Sequence, residues 1–90
     1  MLELKSNDLL LLEPTELIDK FISDVLLPVT DTSVPSSEVH RWYEQYCEHF
    51  ELGTSGIAFF SRHLKRRFQS RRVRGRREFF CIIKPELRAN

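Results

Sequence analysis

Acidic residues are missing from positions 62–77, where nine of sixteen residues are Lys or Arg. That absence excludes local neutralisation: each cation must face solvent or meet an oppositely charged ligand, because a buried unpaired guanidinium is strongly unfavourable. Cysteine is also scarce. Cys47 and Cys81, without C-x-x-C spacing, are too few for a disulfide framework and point to a reducing, intracellular setting with both thiols buried or half-buried. A metal site assembled from Cys47, His49, His63 and Cys81 would have no pair at finger spacing, so no metal or other cofactor is expected. The longest apolar run, at 79–83, has five residues, far short of the roughly 20 that span a bilayer. No signal-peptide pattern is present, and no membrane partner is expected. Glycine is limited to Gly53, Gly56 and Gly75, which excludes a glycine-rich phosphate cradle.

What is there is divided by charge. Residues 1–51 carry three bases against eleven acids, a net of −8, and residues 52–90 carry eleven bases against two acids, a net of +9. The overall +1 hides this dipole. Ninety residues make one domain with a single modest core. The expected division is an arm or linker at 1–13, a folded domain at 14–85 and a frayed tail at 86–90. The leucines at 9–12 read as a short strand, an arm packed on the domain, or the end of a linker.

Pro14 suits a first helical position, and Leu17, Ile18, Phe21, Ile22, Val25 and Leu26 recur at helical spacing. These predict a first helix over 15–26, stopped by Pro28. Residues 28–37 are rich in Pro, Ser, Thr and Asp and read as a loop, with Ser33 and Val34 extended for sheet pairing. Ser36 or Ser37 then caps a second helix. Its stripe is Val39, Trp42, Tyr43, Tyr46, Cys47 and Phe50, and the opposite face holds Arg41, Glu44, Gln45, Glu48 and Glu51. That exposed face is acidic and repels phosphate, so the second helix is scaffold.

A turn of two to four residues leads to a third helix over about 55–68, capped by Thr54 or Ser55. Ile57, Phe60, Leu64 and Phe68 form its core face, and Ala58, Arg62, Lys65, Arg66 and Gln69 the outer one. Phe59 falls at the border of the two faces, where packing in the core or on its flank is expected over the alternative, contact with DNA; Arg67 lies off the basic face and reads as a bystander. Arg74-Gly75 signals a tight turn between a strand at 70–73 and a continuous apolar strand at 79–83. This hairpin carries Arg71, Arg72, Arg74, Arg76 and Arg77. The fold class is therefore α+β, mainly α: a winged helix, with a helix-turn-helix followed by a basic hairpin wing.

Val39, His40, Tyr43, Tyr46 and Cys47, then Phe60, Arg62, Leu64, Lys65 and Phe68, then Arg71, Arg72, Val73, Arg74, Gly75, Phe79 and Phe80 form a pattern over 15–84 that resembles the RFX-type winged-helix domain. That domain occurs in regulatory factor X proteins and at the C-terminus of poxvirus-like, phage and plasmid replicative helicase-primases. Cys81 stands where the pattern has glycine, and Glu78-Phe79-Phe80 replaces a more polar basic run. The resemblance implies double-stranded DNA binding in which the wing enters a groove as well as the third helix. It implies service in DNA replication beside a helicase or primase, the alternative being transcriptional regulation. Localisation then follows the source: cytoplasm for a bacterial, phage or poxvirus-like protein, nucleus for a eukaryotic regulator.

The DNA contacts expected are Arg62, Lys65 and Arg66 on the helix and Arg71, Arg72, Arg74, Arg76 and Arg77 on the wing, which is the dominant element. Arginine outnumbers lysine eight to one in this stretch, favouring bidentate contacts with phosphates or guanine edges. No enzyme is expected: Cys47 with His49 or His63 would need a pocket that so small and aromatic a core lacks, and the acids lie on solvated helix faces. The competing reading is a protein-interaction winged helix that holds an acidic partner, or whose acidic half contacts a basic partner or residues 62–77 of a second protomer, self-association through the leucines at 9–12 being a further variant.

Overall fold

The computed structural model describes residues 12–87. They form an α+β chain of three helices and two small antiparallel sheets. Helix α1 is Pro14–Val25, with Pro14 in its first turn, where a missing N–H costs nothing. The backbone N–H of Glu13 donates to Glu16 Oε1 at 2.9 Å, one arm of a capping box. Leu17, Ile18, Phe21 and Ile22 are buried. The helix ends three residues before Pro28, earlier than the sequence predicts. Proline disfavours the helical region for the residue before it, and strand β1, Leu26–Pro28, is recruited into a pairing that local sequence does not announce.

Strand β2, Val34–Pro35, follows at the end of the expected loop. Ser33 is not paired in the sheet; its hydroxyl donates instead to Glu78 Oε1 at 2.6 Å. Helix α2, Ser36–His49, begins directly after the strand with Pro35 at the N-cap and no side-chain cap, so neither Ser36 nor Ser37 has the capping role expected. Val39, Tyr43 and Cys47 are buried, and Trp42, Tyr46 and Phe50 pack on the core from its edge. The helix closes in a Schellman arrangement: Leu52 N–H donates to Cys47 O at 2.9 Å and Glu51 N–H to Glu48 O at 3.0 Å. Glu51 occupies the left-handed position at φ 59°.

The connection to α3 is residues 50–56, longer than the two- to four-residue turn expected, because the closure and Leu52, which packs on the core, consume part of it. Helix α3 is Ile57–Leu64, with Gly56 rather than Thr54 or Ser55 at its N-cap. Residues 65–68 continue as hydrogen-bonded turns, not as helix to Phe68. Phe60, Leu64 and Phe68 are buried, but Ile57 is 42% exposed. Periodicity assigns a face; it does not guarantee that a neighbour covers the first turn.

Strands β3, Ser70–Val73, and β4, Arg76–Phe79, form a hairpin whose first strand and turn fall where expected, but whose second strand begins three residues before the one expected at 79–83. Arg74 at φ 53° and Gly75 at φ 80° supply the two left-handed residues of a type I′ turn. Strand β2 adds to the other edge of β4, giving the order β2-β4-β3. The strand expected at 79–83 is broken. Phe80 leaves the ladder: its N–H donates to Gln69 O at 2.9 Å and its carbonyl accepts from Val29 N–H at 3.2 Å. Strand β5, Cys81–Ile83, then pairs with β1, Leu26 opposite Ile83 and Pro28 opposite Cys81. Pro85–Leu87 forms a single 3-10 turn, so Glu86 and Leu87 are not frayed. Leu12 packs on the core; the other residues assigned to an arm, including leucines 9–11, and residues 88–90 of the tail lie outside the described residues.

The core centres on three rings, one per helix. Tyr43 stacks on Phe60 at 4.7 Å between centroids, and Phe21 meets Tyr43 edge-on at 5.3 Å and Phe60 at 6.1 Å. Phe60→Ala is expected to lower stability by about 3–5 kcal/mol, whereas Ile57→Ala stays within about 0.5 kcal/mol of the parent; equal losses in denaturant melts would contradict this core.

The core also makes a pH prediction. Burial pushes the Cys81 thiol from its usual 9.0 to about 12 and the Tyr43 hydroxyl from 10.0 to about 12. Cys47 is raised by burial, and Tyr46 by burial and by donating to Asp24. Unfolding returns these groups to ordinary values, so above pH 9 the unfolded chain sheds protons that the folded chain keeps. Stability is complete below that pH and falls as pH rises toward 12. Denaturant midpoints should decline above pH 9, less steeply in Cys81→Ala; a flat profile would refute the assignment.

Candidate nucleic-acid interface

The cations expected to act together sit on two elements. Arg62 projects from α3, and Lys65 and Arg66 from the turn that follows it; all three are exposed. The hairpin carries the rest. An open depression lined by residues 65–70 and Phe80 lies where the turn meets the base of the hairpin, and Lys65 and Arg66 stand on its wall.

Strand register sorts the hairpin arginines into two faces, since residues opposite each other in an antiparallel pair point the same way. Ser70 opposes Phe79 and Arg72 opposes Arg77 on the face that continues the core; Arg71 opposes Glu78 and Val73 opposes Arg76 on the other. Arg72 and Arg77 are like charges set directly across from each other, an unfavourable arrangement in the absence of an anion. Their side chains diverge. Arg77 Nη1 donates to Ser70 Oγ at 2.7 Å toward the base, and Arg72 Nη1 to the Gly75 carbonyl at 3.1 Å toward the tip.

Not all the expected contacts are equally available. Arg71 is held: its Nη2 lies 3.5 Å from Glu78 Oε1 and its guanidinium sits 5.6 Å from the centre of the Phe80 ring. Arg77 is half-buried. Arg72, Arg74 and Arg76 are exposed and have no acidic partner among the described residues. Arg67, read as a bystander, bonds to Asp19 of α1, and His63 Nε2 lies 2.8 Å from the same Asp19 oxygen. This three-residue tie joins α3 and the turn after it to α1 and gives Arg67 an acidic partner.

Sequence reasoning missed Asp19, His63 and His40. His40 Nε2–H donates to the Ser55 carbonyl at 2.9 Å while its ring edge rests on Phe60 at 5.1 Å, which orients α3 on α2. Partners this distant in sequence leave no local signal. Phe59 differs from expectation too: it is 37% exposed and takes no part in the buried cluster.

Cys47, His49, His63 and Cys81 do not converge, and among the described residues no group of three or more metal-ligating side chains forms. Both cysteines are free, buried and held as thiols, unlike a nucleophile, which needs thiolate character. No helix among the described residues is long and apolar enough to cross a membrane. Comparison with models of protein families, with curated proteins and with solved structures finds no match.

The Asp19 tie is testable. Both side chains of the Asp19–Arg67 pair are more than 40% exposed, so solvent screening limits its value. Asp19→Ala should cost no more than about 1 kcal/mol at low salt and less at about 1 M salt, where the Debye length is near 3 Å. A loss that does not shrink with salt in denaturant melts would show that the tie acts through packing.

Proposed function

We propose that the chain is a winged-helix module that binds double-stranded DNA, with the β3–β4 hairpin as wing and α3 with its following turn as second contact. The observation that carries this reading is the end of the hairpin. Arg72, Arg74 and Arg76 are exposed without acidic partners among the described residues, and Arg72 faces Arg77 across the ladder. A guanidinium offers paired donors matched to a phosphate or a guanine edge, and an anion near these arginines offsets the repulsion among them. The acidic residues Glu44, Glu48 and Glu51 are exposed on α2 and the loop after it, away from these cations in sequence.

Within this mechanism the hairpin dominates because its tip projects and its turn is pinned by two left-handed residues. Arg62, Lys65 and Arg66 hold the backbone nearby. Arg71 and Arg77, tied to Glu78 and Ser70, are positioning residues that stiffen the hairpin, and contribute less direct contact than their charge suggests.

Titration of a labelled random-sequence duplex over a salt series tests the proposal. Four to six neutralised phosphates give a slope of log K against log salt of roughly −4 to −5. Arg74→Gln/Arg76→Gln should reduce its magnitude by about 2, and Arg62→Gln/Lys65→Gln by a similar or smaller amount. Absence of binding at low salt, or indifference to both double variants, would sink it.

A further inference from the structure

Phe59 is 37% exposed beside the cations. It stands three residues before Arg62 and seven before Arg66, so the three share one side of α3 and the turn that extends it. With His63 and with Thr15 from the first turn of α1, they line a cleft of about 240 Å³, open on one side. The adjacent Phe60 is fully buried in the aromatic core, so burying its neighbour was not needed to hold α3 in place.

The walls specify what fits. A phenyl face asks for a flat apolar surface, and guanidiniums on the same side ask for an anion or an electron-rich ring. A lipid chain or apolar peptide would satisfy the ring and leave Arg62 and Arg66 without partners. A nucleotide satisfies both, its base on Phe59 and its phosphate against the arginines. Inside a duplex each base face is covered by its neighbours, whereas an unpaired base offers a free face to a side chain. The cleft is smaller than cavities that enclose whole ligands, which suits one planar group entering from the open side.

We propose that Phe59, Arg62 and Arg66, with Thr15 as the far wall, form a subsite for one unpaired nucleobase and its phosphate. The module then engages DNA at a junction between duplex and single strand. This rests on the duplex-binding reading for the hairpin and gives the second contact, on α3 and its following turn, a base-stacking ring beside Arg62 and Arg66. The substrate class becomes forked or tailed DNA instead of uninterrupted duplex.

The test compares a blunt duplex with the same duplex carrying a short 5′ or 3′ tail, 2-aminopurine occupying the first unpaired position. Affinity is read by anisotropy at one salt concentration, and stacking by quenching of the 2-aminopurine. The parent protein should prefer one tailed duplex by roughly 5- to 100-fold, the range that base–aromatic stacking supports, and should quench its probe. Phe59→Ala and Phe59→Leu should reduce that affinity to the blunt-duplex value and abolish quenching, with blunt-duplex binding unchanged. Phe59→Trp should keep both properties. Melting curves confirm folding, which an exposed position leaves intact. Equal affinity of the parent for all three ligands, or equal losses on all three in Phe59→Ala, overturns the subsite and leaves the duplex reading in place. Tail-dependent binding lost in Phe59→Ala, with no blunt-duplex binding by the parent, upholds the subsite and overturns the duplex reading.

Discussion

The stack of Tyr43 on Phe60, closed by the edge of Phe21, is the contact on which the three helices depend. In a domain this short each helix offers few buried side chains, and one ring from each supplies a large share of the apolar area removed from water. The Tyr43 hydroxyl is buried beside Cys47 and Ser55, so its polar end stays within the core that its ring organises. His40 and the Asp19 tie then set the rotation of α3 that the rings alone leave open. With Phe60 and Leu64 turned inward, Arg62 and Phe59 must turn outward.

Phe79 and Phe80 transmit this order to the hairpin. Phe79 is fully buried and anchors β4, while Phe80 bonds through its backbone to Gln69 on one side and Val29 on the other. The break at Phe80 lets one chain segment serve two sheets. Its first half holds the root of the hairpin, and its second half, as β5, fastens β1 and the end of α1. The arginines beyond Phe79 stand on a ladder whose register is set by a buried ring, so their alternation between faces is not free to slip.

Much of this was readable beforehand. The stripes of α1 and α2 follow the helical period, Arg74-Gly75 announces its turn, and the hairpin's first strand falls at 70–73 as the pattern suggests. The failures share a cause. Leu26, Ile57 and residues 79–83 were assigned from apolar character, which cannot say which neighbour arrives to cover or pair a residue. Leu26 became strand because β5 lay beside it, Ile57 stayed exposed, and five apolar residues were divided between two sheets. The missing caps at Ser36 and Thr54 reflect competition of the same kind: a preceding strand or glycine already fixed the backbone where the helix begins.

For the candidate site, the sequence by itself determined the concentration of charge: nine cations without an acid over 62–77 must lie at the surface on any fold, because desolvating them is too unfavourable. It also separated the hairpin cations from those before them, although of the latter only Arg62 lies on the helix, and Lys65, Arg66 and Arg67 lie in the turn after it. Only the tertiary structure decided which of them remain available. Arg67 is taken by Asp19, 48 residues away, Arg71 by Glu78 across the ladder, and Arg77 by Ser70, while Arg72, Arg74 and Arg76 are left to solvent at the tip. Tertiary packing likewise left Phe59 open beside Arg62. Ion pairs and aromatic burial are settled by distances between chain segments, and spacing along the sequence does not encode those distances.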